Sequence, residues 1–253
     1  MLAETIERGL KDLRLPAMRQ VFRETASRAI EEKLGFEEYL GLLVERELEE
    51  RKQRSTERRL EESRLPLGKS QENFEFTRIP PKLLRQLKVL MDGDFVRRRE
   101  NLLVFGNPGS GKTHLLCAVG QELVRKHGMK VLFLPSVRLL QDLLVAKRDL
   151  VLPRVFKRLT GYDALIIDDI GYVQQSKAEV EVLFTLISEC YEKTSILLTS
   201  NLPFSQWEKI FKDPMMTIAA IDRLIHHSVV LEMNISSYRM ENSRSKREAA
   251  ETK

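Results

Sequence analysis

Cysteines and long apolar runs are scarce in this 253-residue sequence, and each absence excludes a class of protein. The two cysteines, Cys117 and Cys190, have no metal-ligand spacing, so we expect buried free thiols in a reducing compartment. No run of about 18 uncharged apolar residues occurs, which predicts no transmembrane helix. The first residues lack a signal-peptide pattern. The sequence therefore predicts a cytoplasmic protein without a membrane partner.

An acidic excess is also lacking. Lysine and arginine number 42 against 37 acidic residues, which gives a net charge of +5 and a pI near 9.2. This balance permits contact with nucleic acid but does not by itself predict it. With 42% hydrophobic residues the chain can form a real core, and its length suits one large domain with a smaller one.

The most informative stretch is the glycine-rich motif Gly106–Thr113, which fits G-x-x-x-x-G-K-[ST]. An apolar, strand-like run precedes it and an apolar, helix-like run follows it. The glycines let backbone N–H groups turn inward at a helix N-terminus and form a nest for anions. We expect Lys112 to contact the β- and γ-phosphates of a nucleoside triphosphate and Thr113 to bind Mg²⁺. The predicted nucleotide-binding residues are Gly106, Asn107, Pro108, Gly109, Ser110, Gly111, Lys112, Thr113 and His114.

Beyond this motif, apolar strand-like runs alternate with helical segments, which is typical of a parallel sheet covered on both faces. The predicted fold class is α/β, a parallel-sheet P-loop NTPase core. The strand candidates are Leu102–Phe105, Val131–Leu134, Ala164–Asp168, Ser195–Thr199 and Val229–Leu231.

Polar side chains end two of these predicted strands. The third strand runs into Asp168 and Asp169. Two carboxylates at the end of a buried strand cost folding free energy unless a cation lies nearby. We expect Asp168 to hold the Mg²⁺ shell and Asp169 to polarise the attacking water. Asn201, after the fourth strand, can orient that water or contact the γ-phosphate; a simple strand-to-turn asparagine is the alternative. Asp169, Asn201 and Lys112 are the predicted catalytic residues of this end of the sheet.

A helix predicted over Ala219–His227 carries one further catalytic candidate, Arg223. An arginine placed against the developing charge accelerates phosphoryl transfer, and this one could reach into a neighbouring subunit's site. An intramolecular ion pair is the competing interpretation. His226 and His227 lack a third ligand at suitable spacing, so a structural role is favoured over metal binding.

The N-terminal part is predicted to be all-helical, with three amphipathic helices in a small bundle that docks a partner or DNA. Apolar positions at helical spacing include Met18, Phe22, Ile30, Leu40, Leu43, Val44 and Leu48. Beyond Leu48, balanced acids and bases indicate a solvated helix; a basic ridge facing phosphate is the alternative. The expected domains are a bundle at 1–64, a linker at 65–83 with Phe74 and Phe76 packed on the next domain, an ATPase domain at 84–240 and a polar tail at 241–253.

A basic segment lies between the second and third strands. It tracks a DNA backbone in one interpretation and is a solvated helix face in the other. Its residues are Lys147, Arg148, Arg154, Lys157 and Arg158.

Taken together, the motifs resemble those of the IstB-type ATPases, helper proteins of bacterial insertion sequences that are related to DnaC-type helicase loaders. The resemblance covers roughly residues 5 to 240 and is carried by Gly106–Thr113, Leu165–Gly171, Thr199–Trp207, Asp222–His227 and Ser237–Arg239. Ile235 and Ser236 stand where the family usually has Gly and an acid.

The resemblance implies an AAA+ fold in a bacterial cytoplasm, with ATP and Mg²⁺ as cofactors and DNA-stimulated ATP hydrolysis. It also implies a homo-oligomer with nucleotide at subunit interfaces, assembled on duplex DNA without strong sequence preference, that delivers target DNA to a transposase. Arg223 is expected to be the trans arginine finger and Arg239 a second sensor at the nucleotide. Too few residues follow the last strand for a separate helical lid.

Three other kinds of protein would also use a phosphate loop, and the residues argue against two of them. A helicase loader of the DnaC type would use the same core but bind a replicative helicase and prefer single strands. A small-molecule kinase has no reason for Asp168 and Asp169 beside Asn201. A scaffold that binds nucleotide without hydrolysis would not need these acids together with Lys112 and Thr113.

Overall fold

The computed structural model describes residues 2–171, 176–211 and 214–238 of the chain. The chain divides into two compact units, one ending at Arg58 and the other beginning at Arg59. The expected domain bounds (1–64, 65–83, 84–240 and 241–253) stay predictions. None of the helices in the described ranges is both long and apolar enough to cross a membrane.

The first unit is helical, as predicted. Its helices are α1 (Leu2–Asp12), α2 (Pro16–Glu31) and α3 (Phe36–Ser63), the last of which continues beyond Arg58. Met18, Phe22 and Leu43 form a small buried cluster. The predicted apolar faces are only partly right, because Ile30, Leu40, Val44 and Leu48 are exposed. In so small a unit, each helix buries only a narrow stripe of its surface against its neighbours. Apolar residues beside that stripe therefore stay exposed to solvent.

A buried carboxylate connects α3 to the start of α2. Leu15, which precedes α2, offers no side-chain cap, and Glu47 of α3 takes that role. Its Oε2 accepts the backbone N–H groups of Ala17 at 2.8 Å and Met18 at 3.2 Å. Arg51 donates to Oε1 at 2.9 Å. Burial opposes the ionisation of Glu47, but these hydrogen bonds outweigh it and lower its pKa.

The second unit contains a five-stranded, fully parallel sheet in the order β2-β3-β4-β1-β5. All five predicted strands are confirmed, each extended by one to three residues. They are β1 (Asn101–Gly106), β2 (Val131–Pro135), β3 (Ala164–Ile170), β4 (Ser195–Ser200) and β5 (Ser228–Met233).

Helices cover both faces of the sheet, which confirms the α/β class. Alternate residues of β1 show the two faces: Leu103 and Phe105 belong to one buried cluster, and Leu102 and Val104 to the other. The helices are α4 (Pro81–Met91), α5 (Asp94–Arg97), α6 (Lys112–Arg125), α7 (Ser136–Arg148), α8 (Leu152–Leu159), α9 (Lys177–Cys190), α10 (Glu208–Phe211) and α11 (Pro214–Ile225). The element order of the described residues ends with β5, and no separate helical lid follows it in that part of the chain.

Residues 65–80 belong to the segment 65–83 that composition predicts to be a linker, and several of them pack onto the sheet's helices. Leu65 and Ile79 are buried, and Phe74 and Phe76 pack against the same cluster. Gln121 of α6 donates to three carbonyl groups of the segment, those of Pro66, Leu67 and Lys69, at 3.1 to 3.4 Å.

Both cysteines are buried free thiols, as predicted. Burial raises the pKa of Cys117 and of Cys190 to about 12, so neither is a thiolate at neutral pH.

Replacing Glu47 by Gln should make the first turn of α2 less protected, and the effect should depend on pH. The folded-state pKa of Glu47 is lowered, so its contribution is present above the ordinary glutamate pKa of about 4.3 and is lost as the pH falls below it. Hydrogen exchange of the peptide covering residues 16–31 should therefore be faster in Glu47→Gln than in the wild type at neutral pH, with the two converging in acid. Glu49→Gln, at an exposed position of α3, is the matched control. An identical pH profile for Glu47→Gln and the wild type would contradict the capping role.

Candidate functional site

A loop of glycines joins β1 to α6. Gly106, Gly109 and Gly111 have backbone φ values of 152°, 80° and 95°, which residues other than glycine rarely adopt. A Cβ at Gly106 would overlap the carbonyl oxygen of Met233, and one at Gly109 would overlap Ser237. The loop therefore requires glycine at these positions, and its backbone ends at the N-terminus of α6, where anions are favoured.

Lys112, the first residue of α6, is buried and folded back onto the loop. Its ammonium donates to the carbonyl oxygens of Gly106 at 2.8 Å and Asn107 at 2.9 Å, and to Oδ1 of Asn201 at 2.5 Å. The loop residues Gly106 and Asn107 thus hold the lysine through their backbones.

The two acids near the end of β3, Asp168 and Asp169, are connected to this lysine by a continuous hydrogen-bond chain. The hydroxyl of Thr199 donates to Oδ1 of Asp168 at 2.7 Å and accepts the backbone N–H of Asp169 at 2.7 Å. Asn201 donates through Nδ2 to Oδ1 of Asp169 at 3.0 Å and accepts from Lys112. The structure therefore brings together four predicted residues, and Thr199 is a member that the sequence reasoning did not assign a role.

The backbone at Asp169 is irregular. Its φ is 66°, and the pairing of β3 with β4 shifts between Ile167 and Ile170. Two further hydroxyls hold this bulge: Ser136 donates to the carbonyl of Asp169 at 2.8 Å, and Ser200 donates to that of Ile170 at 2.9 Å. The bulge aims the Asp169 side chain toward the loop, as bulges beside functional sites commonly do.

A cavity of about 420 Å³ lies over the glycine loop. Pro108–His114, Asp169 and Asn201 line one side of it. The other side consists of residues that the sequence reasoning did not place at the site: Gly68, Lys69, Asn73, Phe74, Glu75, Arg78, Ile79, Ile235 and Tyr238.

This second wall is fixed by specific contacts. His114 bonds through Nε2 to the carbonyl of Ser70 at 2.9 Å, and its ring meets Phe74 edge to face with centroids 5.1 Å apart. Arg78 donates to the carbonyl of Ser236 at 3.1 Å, and its guanidinium lies 5.4 Å from the centre of the Tyr238 ring. Two features of the sequence point to this wall: the phenylalanine pair in an otherwise polar segment, and the motif Ser237–Arg239, which contains Tyr238.

The residues present fit a triphosphate with Mg²⁺. The hydroxyl of Ser110 is buried in the loop and has no hydrogen-bond partner among the described residues, so it is available to a ligand oxygen. Thr113 lines the cavity, and Asp168 directly precedes the lining residue Asp169 in β3. They provide a hydroxyl and a carboxylate, the oxygen donors that Mg²⁺ prefers.

Other predicted residues lie away from this cavity. Arg223 of α11 is half-buried, donates to the carbonyl of Ala219 at 3.0 Å and stacks 5.0 Å from the Phe184 ring centre. Arg239 lies outside the described residues. The predicted basic residues of α7 and α8 are all exposed. On α7, Lys147 pairs with Glu181 at 2.8 Å and Arg148 with Asp149 at 2.9 Å. The other three, Arg154, Lys157 and Arg158, lie on α8.

Comparisons with known proteins agree with this geometry. Residues 8–246 match the family model described as IstB-like ATP binding protein. An insertion sequence ATP-binding protein of Sinorhizobium fredii is 43% identical over 231 residues, which is 91% of this chain and 77% of the relative. The IS21 ATP-binding protein of Pseudomonas aeruginosa is 40% identical, covering 85% of this chain and 81% of its own. These matches confirm the resemblance predicted from the motifs.

Solved structures show the same fold. The crystal structure of the DnaC helicase loader has a TM-score of 0.51 at 21% identity and covers 60% of this chain and 88% of its own. AMPPCP-bound DnaA from Aquifex aeolicus has a TM-score of 0.53 at 20% identity, covering 68% and 51%. At this identity the likeness shows an AAA+ fold and nothing finer.

Replacing Thr199 by Val should leave the side chain of Asp168 and the backbone of Asp169 less firmly oriented. The substitution removes the hydroxyl that donates to Asp168 and accepts the backbone N–H of Asp169. The Mg²⁺ concentration that half-saturates ATP hydrolysis should rise about ten- to hundredfold, the usual effect of losing a residue that orients a metal ligand. ATP binding without Mg²⁺ should change little.

Thr199→Ser, which keeps the hydroxyl, is the matched control and should behave like the wild type. An unchanged Mg²⁺ dependence in a folded Thr199→Val protein would exclude this positioning role.

Proposed function

We propose the following function for this chain, which belongs to the family of IstB-like ATP binding proteins: it is an ATPase that self-assembles on duplex DNA and presents that DNA to a transposase. The single observation that supports hydrolysis best is the hydrogen-bond chain from Asp168 through Thr199, Asp169 and Asn201 to Lys112. A scaffold that only held nucleotide would have no use for two carboxylates beside the phosphate site.

ATP binding is supported by the loop and its helix. The glycine backbone and the N-terminus of α6 favour the phosphates, and the buried Ser110 hydroxyl offers one more donor. Lys112 exchanges the loop carbonyls for phosphate oxygens, because an ammonium donates more strongly to an anion than to a neutral carbonyl. Phe74, Ile79 and Ile235 provide an apolar surface in the opposite wall of the cavity for the base.

Hydrolysis requires a water aligned with the γ-phosphate. Mg²⁺ held by Thr113 and Asp168 would neutralise charge on the phosphates. In this proposal Asp169 orients the water, and the hydrogen bond from Asn201 to Oδ1 sets the direction of its carboxylate. While Lys112 donates to the amide oxygen of Asn201, the amide must turn its N–H group toward Asp169. The lysine and the carboxylate that orients the water are therefore coupled through Asn201.

An assembled active site is supported by the position of Arg223. Its side chain lies on α11 and is not among the residues that line the cavity of its own subunit. If Arg223 stabilises the transferred phosphoryl group, it must therefore act in the site of an adjoining copy. Hydrolysis would therefore depend on assembly.

Transposition rather than helicase loading is supported by the relatives. The names of the proteins at 40 and 43% identity refer to insertion sequences, whereas the helicase loader shares the fold at 21% identity. In this proposal the exposed Arg154, Lys157 and Arg158 of α8 contact the DNA backbone, which exposed cations do without reading sequence.

Phosphate release should be measured with and without duplex DNA of arbitrary sequence, together with particle mass in the presence of a non-hydrolysable ATP analogue. We expect DNA to stimulate hydrolysis and the analogue to assemble subunits on DNA.

Lys112→Ala should bind no ATP, and Asp169→Asn should bind ATP and stay assembled without turnover. Fast hydrolysis by a monomer with ATP and DNA present would contradict the proposal, and stimulation by single strands alone would favour the helicase loader.

Arg223→Ala should lose DNA-stimulated hydrolysis by about 10³-fold or more, because the developing charge loses its cation. Mixing Arg223→Ala with Lys112→Ala should restore part of the activity, since some interfaces then combine an intact nucleotide site with an intact arginine. Arg97→Ala, which removes an exposed arginine paired with Asp94, is the control and should keep full activity. Absence of rescue would assign Arg223 to its own subunit.

A further inference from the structure

Two adjacent histidines and a glutamate converge at the end of the sheet opposite the glycine loop. The helix predicted over Ala219–His227 ends earlier, at Ile225, so His226 and His227 form the turn before β5. The carbonyl of His227 accepts the backbone N–H of Asn101, the first residue of β1, at 2.7 Å. Sequence spacing offered these histidines no third ligand. The fold supplies one, Glu192, from the turn after α9.

The geometry of the three side chains suits a shared ion. One ligand atom from each of Glu192, His226 and His227 lies within 4.8 Å of the others, and the two imidazole centroids are 4.2 Å apart. Ligands of a tetrahedral zinc-class ion lie roughly 3.3 Å apart, given bonds of about 2.0 Å. All three side chains are exposed, so small rotations can close this difference without disturbing a packed core.

A fourth residue orients one of the imidazoles. The hydroxyl of Tyr191 lies 3.0 Å from Nδ1 of His226. When Nδ1 carries the proton and donates it to this hydroxyl, the lone pair is on Nε2 and available to a metal. Protein zinc sites commonly hold their histidines in this way, through a hydrogen bond at the nitrogen that does not bind the ion.

We propose that Glu192, His226 and His227 bind one divalent transition-metal ion of the zinc class, with Tyr191 as the positioning residue. Two imidazoles and one carboxylate are a donor set that zinc uses when water completes its coordination. Glu100 faces the same region, but Arg98 holds its carboxylate with two hydrogen bonds of 2.7 and 2.9 Å, so it is committed elsewhere. In the described ranges of the chain, no other group of three such side chains meets the same distance condition.

The consequence of binding is mechanical. The ion would join the end of α9 to the turn between α11 and β5. The same two helices meet where Arg223 of α11 stacks on Phe184 of α9. Binding would therefore hold in place the helix that carries Arg223, independently of nucleotide.

Full-length, nucleotide-free protein should be titrated with Zn²⁺ by calorimetry and with Co²⁺ by visible absorption. We expect one ion per chain, the intense Co²⁺ absorption of a four-coordinate site, and a higher unfolding temperature with Zn²⁺. His227→Gln and Glu192→Gln should each lower affinity by at least about tenfold. Tyr191→Phe should lower affinity by about tenfold with the stoichiometry unchanged, because it removes only the orienting hydroxyl.

Matched controls come from the same chain. His127→Gln and Glu189→Gln remove a histidine and a glutamate outside the group and should retain wild-type affinity. The proposal is overturned if no saturable binding occurs, if the Co²⁺ spectrum is the weak one of a hydrated six-coordinate ion, or if the controls lose as much affinity as the ligand variants. None of these outcomes bears on ATP hydrolysis, so the proposed function is tested separately.

Discussion

The placement of two carboxylates at the end of a buried strand constrains the rest of the nucleotide site. Both acids are half-buried and lose part of their hydration, so each needs hydrogen-bond donors from neighbouring elements. The strand order supplies them: β4 lies beside β3 and contributes Thr199 and Asn201, and β1 lies beside β4 and leads to Lys112. The order β3-β4-β1 is therefore what makes one continuous chain from Asp168 to the lysine possible.

The same constraint explains the bulge at Asp169. A regular strand would point Asp168 and Asp169 to opposite faces, and only one of them could reach the loop. The left-handed conformation at Asp169 breaks this alternation, and hydroxyls of Ser136 and Ser200 secure the carbonyl groups that the bulge releases. Ser136 is also the first residue of α7. The backbone of Asp169, the acid that lines the cavity, is thus bonded to α7, which carries Lys147 and Arg148 in its last turn.

Sequence patterns predicted the sheet well because each strand is a short apolar run bounded by turns, and the loop well because its glycines have a known steric purpose. They missed what depends on proximity between distant segments. Thr199 looks like an ordinary strand residue until it lies beside Asp168. Glu192 is separated from His226 along the chain by β4 and the two helices α10 and α11. Turn-forming residues predict a linker at 65–83, and composition alone does not show that Gln121 binds three of its carbonyls or that Leu65 and Ile79 are buried.

That packed segment bears on how the site distinguishes ligands. Backbone amides and a lysine recognise phosphates, which every nucleotide carries, so the glycine loop by itself has little means of choosing a base. Selectivity has to come from the opposite wall, which is built from residues 68–79 and the chain after β5. Arg78 joins the two parts of that wall, and the backbone N–H of Tyr238 donates to the carbonyl of Gly109 at 3.1 Å. The wall is therefore hydrogen-bonded to the phosphate loop. A ligand that shifts the wall at Tyr238 must also shift the loop at Gly109.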